Sequence, residues 1–332
     1  MSKIDTLKIK EIINKYPFVE SYFEENKLDI KGFENFTFMQ YLEHFEESEI
    51  EDLALDLNKL EIDLIEYIEQ MKSFLGIEES NNVKKLSILA GTNKFGEREN
   101  YKRLDIEKSE MIAIVGPTGS GKSRLLADIE WAAQNDTPTK RSILINDEVP
   151  DKKWRYSSNN KLVAQLSQNM NFVMDLSVKE FLQLHAKSRM VENIEEIVEK
   201  IIIEANKLAG EKFNMDTQIT ALSGGQSRAL MIADTAILSS SPIVLIDEIE
   251  NAGIDRKKAL ELLVSSDKIV LMATHDPMLA LLADRRIVIN NGGIAKIINT
   301  SVEEKKKLKE LEEIDRKIQE LRKSLRYGKN IS

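Results

Sequence analysis

Residues 111–134 read MIAIVGPTGSGKSRLLADIEWAAQ. An apolar run, Met111 to Val115, passes into a Gly-rich turn and then into a helical pattern. Gly116, Pro117, Thr118, Gly119, Ser120, Gly121, Lys122 and Ser123 match GxxxxGK[ST] in the strand–loop–helix setting that this motif requires. Glycines let backbone N–H groups turn inward onto phosphate oxygens, and the N-terminus of the following helix adds positive potential. Lys122 is expected to reach the β- and γ-phosphates of a nucleotide, and the Ser123 hydroxyl to ligate Mg²⁺.

The sequence on both sides of this stretch agrees with it. From about Lys84, short β-rich runs (KLSILAG, MIAIVG, SILIND, KLVAQL, PIVLID, KIVLMA, RRIVIN, GIAKII) alternate with helical patterns. Such alternation predicts an α/β domain on a mostly parallel, buried sheet. The run PIVLIDE ends in Asp247 and Glu248. Asp247 is expected to be the acidic partner of Mg²⁺, and Glu248, at the mouth of the sheet, a general base for water.

A second Gly-rich turn follows about a hundred residues after the first. Ser223, Gly224, Gly225 and Gln226 precede the helical pattern SRALMIADTAIL. One nucleotide does not need two phosphate grips from a chain that already wraps it. The second grip is therefore expected to serve a nucleotide held by another copy of the chain, in a head-to-tail pair.

With these motifs together, residues from about 85 to 300 resemble an ATP-binding-cassette (ABC) ATPase domain. The set comprises the phosphate loop 116–123, the signature LSGGQ at 222–226, LIDE at 245–248 and a switch His in MATHDP. The resemblance implies a P-loop NTPase fold of ABC type with a small helical subdomain at about 169–240. It implies ATP and Mg²⁺ as cofactors and ATP hydrolysis as the activity. Gln168 sits where the family's Q-loop Gln senses Mg²⁺ and the attacking water, with Gln165 as rival. His275 sits where the family contacts the γ-phosphate. Phe95 and Tyr101 are both candidates for the aromatic that stacks on adenine. The family's DEPxxxLD is here DEIENAGID, so the D-loop, with Asp255 as its candidate, carries Ile249 for Pro and one extra residue. This departure resembles soluble ABC-like ATPases more than transport subunits.

Outside the cassette, residues 1–80 form a separate acidic unit. Of the chain's net charge of −9, these 80 residues hold 8 Lys, no Arg and 20 Asp or Glu, giving −12. The surplus repels phosphate and argues against nucleic acid as a partner. Apolar residues three or four apart (Leu60, Leu64, Ile65, Ile68, Met71, Leu75) predict helices, with a break at Pro17. An all-α interaction or regulatory domain is expected at 1–80, and the cassette at 84–300. An amphipathic helix is expected at 301–332, where Leu308, Leu311, Ile314, Ile318, Leu321 and Leu325 approach a heptad seam. The chain has no Cys and three His, which excludes disulfides and thiolate metal sites. No apolar run approaches a membrane span, and no signal peptide is visible. A cytoplasmic protein is expected, with a peripheral place on the inner face of the membrane as the alternative. Its expected partners are a second copy in an ATP-dependent homodimer and an unidentified protein, either soluble or a membrane subunit.

Overall fold

The computed structural model describes residues 6–45, 57–75, 83–150, 154, 162–167, 172–191, 193–247, 249, 253–326 and 328. The chain divides into two units, Met1–Glu79 with Ala186–Ile194, and Ser80–His185 with Glu195–Ser332.

The first unit is helical. It contains α1 (Ile9–Lys15), α2 (Val19–Glu25), α3 (Phe38–Leu42) and α4 (Leu57–Leu75). Pro17 falls between α1 and α2, where its ring and missing N–H would break a continuous helix. Thr37 caps α3, accepting from Gln40 N at 3.3 Å while Thr37 N donates to the Gln40 side chain at 3.0 Å. Leu60, Leu64 and Ile68 turn one face of α4 onto Ile9, Ile12, Val19 and Phe23, all buried. Tyr22 donates from its hydroxyl to Leu60 O at 3.0 Å within that core. Met190, more than a hundred residues away in sequence, also packs on it. Residues 186–194 lie in sequence inside the helical stretch of the cassette, yet they belong to this unit by packing.

The second unit carries two sheets. A six-stranded sheet has the order β5-β6-β7-β3-β8-β9, with β3 (Met111–Val115), β5 (Val163–Leu166), β6 (Ile243–Asp247), β7 (Ile269–Ala273), β8 (Arg285–Asn290) and β9 (Gly293–Asn299). All pairs are parallel except the β8–β9 hairpin. Period-2 alternation sends Ile112 and Ile114 to one face and Met111 and Ala113 to the other, so each face has its own core. A helix–sheet sandwich of this kind is the P-loop α/β fold expected from the sequence.

One expectation is corrected. The runs KLSILAG and SILIND do not join the parallel sheet. They form β1 (Lys85–Leu89) and β4 (Ser142–Ile145) of a separate antiparallel sheet, in the order β2-β1-β4. Strand β2 (Arg103–Glu107) is absent from the sequence reading. Only Leu104 and Ile106 point inward, between Arg103, Asp105 and Glu107, so no apolar run marks it.

Helices α5 (Lys122–Glu130), α6 (Val178–Ser188), α7 (Ile194–Leu208), α8 (Gly224–Ile237), α9 (Arg256–Ser265), α10 (Pro277–Leu282) and α11 (Val302–Arg326) complete the described α-helices. Helix α11 is tied down by ion pairs Arg286–Glu304 (2.6 Å), Lys257–Glu312 (2.7 Å) and Arg256–Asp315 (3.3 Å). Among the described residues, no helix is long and apolar enough to cross a membrane.

Candidate nucleotide site

The order β6-β7-β3 decides the site. These three neighbours are parallel, so their C-terminal ends open on one edge of the sheet, which is where ligands bind in open α/β sheets. Asp247 ends β6 in register with Ala273 of β7, and Ala273 is in register with Ile114 of β3. The chain leaves β3 into Gly116–Gly121 and leaves β7 into Thr274 and His275. Thr274 N donates to Ile114 O at 3.1 Å, which keeps the two exits side by side.

The loop has the backbone that its glycines suggest. Gly119 has φ 76° and Gly121 φ 105°, left-handed values that a side chain resists. Gly121 is the N-cap of α5. A Cβ on Gly121 would lie 2.8 Å from Gly292 Cα, so the turn between β8 and β9 presses directly on the loop. That turn, Asn291 (φ 50°) and Gly292 (φ 80°), has the double positive φ of a type I′ hairpin. Gly292 N donates to Ser120 O at 2.7 Å. The sequence reading did not single out this support; a Gly-Gly pair between two strand patterns was its available signal.

Lys122 is buried, whereas Pro117, Thr118, Gly119 and Ser123 are exposed. Its ammonium donates to Gly116 O (2.9 Å) and Pro117 O (3.3 Å) and lies 3.0 Å from His275 Nε2. Three donors meet three acceptors, and Nε2 accepts only in the tautomer with its proton on Nδ1. Ser120 Oγ is buried in the loop without a hydrogen-bond partner.

Ser223 is the N-cap of α8. It forms a capping box: Gln226 N donates to Ser223 Oγ (3.4 Å) and Ser223 N donates to Gln226 Oε1 (2.8 Å). Gln226 Nε2 donates to Glu211 O at 3.3 Å. Ser223 and Gly224 are exposed. Gly253, in the segment before α9, would place a Cβ 3.7 Å from Gly225 Cα, and Asp255 caps α9 by accepting from Lys258 N at 3.2 Å. Glu248 and Gln168 lie outside the described residues. Gln165, the alternative to Gln168, lies within β5, paired with Leu245. Of the two aromatic candidates, Phe95 is exposed, with Lys94 Nζ 4.9 Å from its ring centroid, whereas Tyr101 packs against the core with an unpartnered hydroxyl.

The protein-family model described as ABC transporter matches residues 100–251. The chain is 51% identical over 250 residues to an uncharacterized ABC transporter ATP-binding protein of Methanocaldococcus jannaschii, covering 75% of this chain and 95% of that one. The chain belongs to the ATP-binding-cassette family. This ABC ATPase is also 31% identical over 201 residues to a lipoprotein-releasing system ATP-binding protein of Ehrlichia ruminantium, spanning 57% of this chain and 85% of the relative. A solved dimer of an ATP-binding cassette in a post-hydrolysis state with ADP and Pi matches 65% of the ABC ATPase and 99% of that chain, at 23% identity and a TM-score of 0.48. Membership of this family, carried by the match at 100–251 and the 51% identical relative, makes the chain an ATP hydrolase.

Proposed function

We propose that the chain closes as a head-to-tail homodimer over two Mg-ATP and couples their hydrolysis to a conformational change in a protein partner. In this reading Gly116 to Gly121 cradle the phosphates by their backbone and Lys122 grips the β- and γ-phosphates. Glu248 takes the proton of the attacking water, with Gln168 and His275 around the γ-phosphate. Ser223, Gly224, Gly225 and Gln226 of the second copy complete the site. The observation that carries the reading is the contact of Lys122 with His275 at the shared edge of β3 and β7, beside Asp247 at the end of β6. The Ser123 hydroxyl and the Asp247 carboxylate offer the hard oxygen donors that suit Mg²⁺, which when bound neutralises charge on the phosphates. The exposed capping box at Ser223 supports a role across a dimer, since its described bonds run locally and leave its outer face open. We assign adenine stacking to Phe95, whose ring is exposed.

The partner is read as a cytosolic protein engaged by the acidic first unit. A second reading, the energising subunit of a membrane transporter with separately encoded membrane chains, is favoured by the names of the relatives. Capture of the tagged chain from soluble and membrane fractions distinguishes them. Recovery of a soluble partner that is lost when residues 1–80 are deleted supports the first. Co-purification with integral membrane chains that survives the same deletion overturns it and establishes the second.

A further inference from the structure

A fully buried charge of the second unit lies just before β4. Arg141 is fully buried, as are the side chains of its two carboxylate partners Glu99 and Asp128. Arg141 Nη2 donates to Glu99 Oε1 (2.5 Å), Nε to Glu99 Oε2 (3.2 Å) and Nη1 to Asp128 Oδ2 (2.9 Å). Three charged groups at this depth are costly to desolvate, and well-packed apolar groups of similar volume often serve stability as well. Their arrangement therefore asks for a purpose beyond folding.

That purpose is legible in what the triad holds. Asp128 is on α5, the helix that Lys122 opens, less than two turns from the lysine. Arg141 Nη2 also donates to Gly292 O (2.9 Å), and Gly292 N donates to Ser120 O (2.7 Å). Glu99 Oε1 accepts from Ile294 N (2.5 Å), two residues beyond the same turn, and Glu99 Oε2 accepts from Gly91 N (2.8 Å). Arg141 thus grips the helix behind the loop with one arm and the turn beneath the loop with another. The glycine-rich backbone of 116–121 has little rigidity of its own. Held from the helix behind it and from the turn beneath Ser120 and Gly121, its N–H groups are aimed before a phosphate arrives, which lowers the ordering cost of binding.

We propose that Arg141, anchored by Glu99, is a positioning residue for the phosphate loop. It acts through Asp128 and Gly292 and touches no nucleotide. It sets nucleotide affinity rather than the chemical step. The proposal rests on 116–123 being the phosphate loop.

The test uses the full chain, with ADP as calorimetric probe for affinity and steady-state hydrolysis for kcat and KM. Arg141→Met is expected to weaken ADP binding by about tenfold or more, with KM rising in parallel and kcat at saturating ATP changing less than about threefold, since a misplaced positioning shell commonly costs orders of magnitude. Arg141→Lys, which keeps the charge and part of the bonding, is expected to recover part of the affinity. Hydrogen exchange at 116–123 and 289–294 should rise in both variants, with 224–237 unchanged. Folded variants with wild-type ADP affinity, or with kcat falling as far as KM rises, overturn the proposal. If Arg141→Met does not fold, Glu99→Gln is read by the same numbers and the same criteria. Lys122→Ala is run beside them. If it leaves ADP affinity intact, the loop assignment itself is wrong and the proposal falls with it; if only Lys122→Ala weakens binding, the bracing alone is refuted.

Discussion

The Lys122 ammonium lies 3.0 Å from His275 Nε2, joining the start of α5 to the end of β7 across the edge of the sheet. In this state the lysine spends its remaining donors on Gly116 O and Pro117 O. In the proposed reading, phosphate oxygens take over these bonds when nucleotide binds. Lys122→Ala removes charge-assisted hydrogen bonds of about 1.5–3 kcal/mol, and calorimetry should show ATP binding weakened by roughly ten- to a hundredfold. His275→Ala should leave binding within a few-fold and reduce turnover instead. Equal losses of binding in both variants would contradict this division of roles.

Glu248→Gln keeps the shape of the side chain and removes the base. It should retain ATP and lose kcat by about 10²–10⁴-fold. A phosphate-release assay at saturating ATP decides the matter, and a wild-type rate would reject the assignment of Glu248.

Sedimentation of the Glu248→Gln protein should show a larger species with Mg-ATP than without nucleotide. Ser223→Arg introduces bulk at the exposed cap of α8 and should abolish that species and most hydrolysis. Because Ile314, Ile318, Leu321 and Leu325 on α11 are also exposed, the measurement is repeated on a chain ending at Thr300. A Ser223→Arg protein that hydrolyses ATP normally as a monomer would exclude a shared site.

Glu99 sets a pH dependence of stability. Burial alone would raise its pKa, but the hydrogen bond and charge of Arg141, with the amides of Ile294 and Gly91, hold it below the ordinary 4.5. The folded state therefore releases this proton more readily than the unfolded one. The stability Glu99 contributes is complete above its unfolded value and drains away as pH falls through its folded value. Urea midpoints measured from pH 6 downward should fall less steeply for Glu99→Gln than for the wild type, after allowance for the variant's lower starting point. Parallel curves would show that Glu99 does not titrate with unfolding.

The elements that were legible in the sequence share one property: their signal is local. The loop at 116–123, the Gly-rich turn from Ser223 to Gln226 and the strand ending at Asp247 are each written in a few consecutive residues. The break at Pro17 and the buried face of Leu60, Leu64 and Ile68 are likewise set by short-range spacing. What escaped depends on distant residues meeting. Three of the five residues of strand β2 are charged, and it becomes a strand through its pairing with β1, Leu104 opposite Ile88 and Ile106 opposite Leu86. The triad of Glu99, Asp128 and Arg141 draws on three separate stretches, and its hold on Gly292 reaches a fourth. Met190 likewise carries no mark of the helical core it joins.

That last association has a topological consequence. Because Ala186–Ile194 packs with Met1–Glu79, the polypeptide passes between the two units three times, not once. A single cut at the Glu79–Ser80 bond would therefore sever a covalent link without separating the pieces. After such a nick the amino-terminal fragment should co-elute with the remainder on a sizing column, released only when denaturant dissolves the core around Ile9, Ile12 and Ile68. Shortening the chain from its start would strip Met190 of the apolar core it packs on and leave a bare apolar side chain rather than a clean edge.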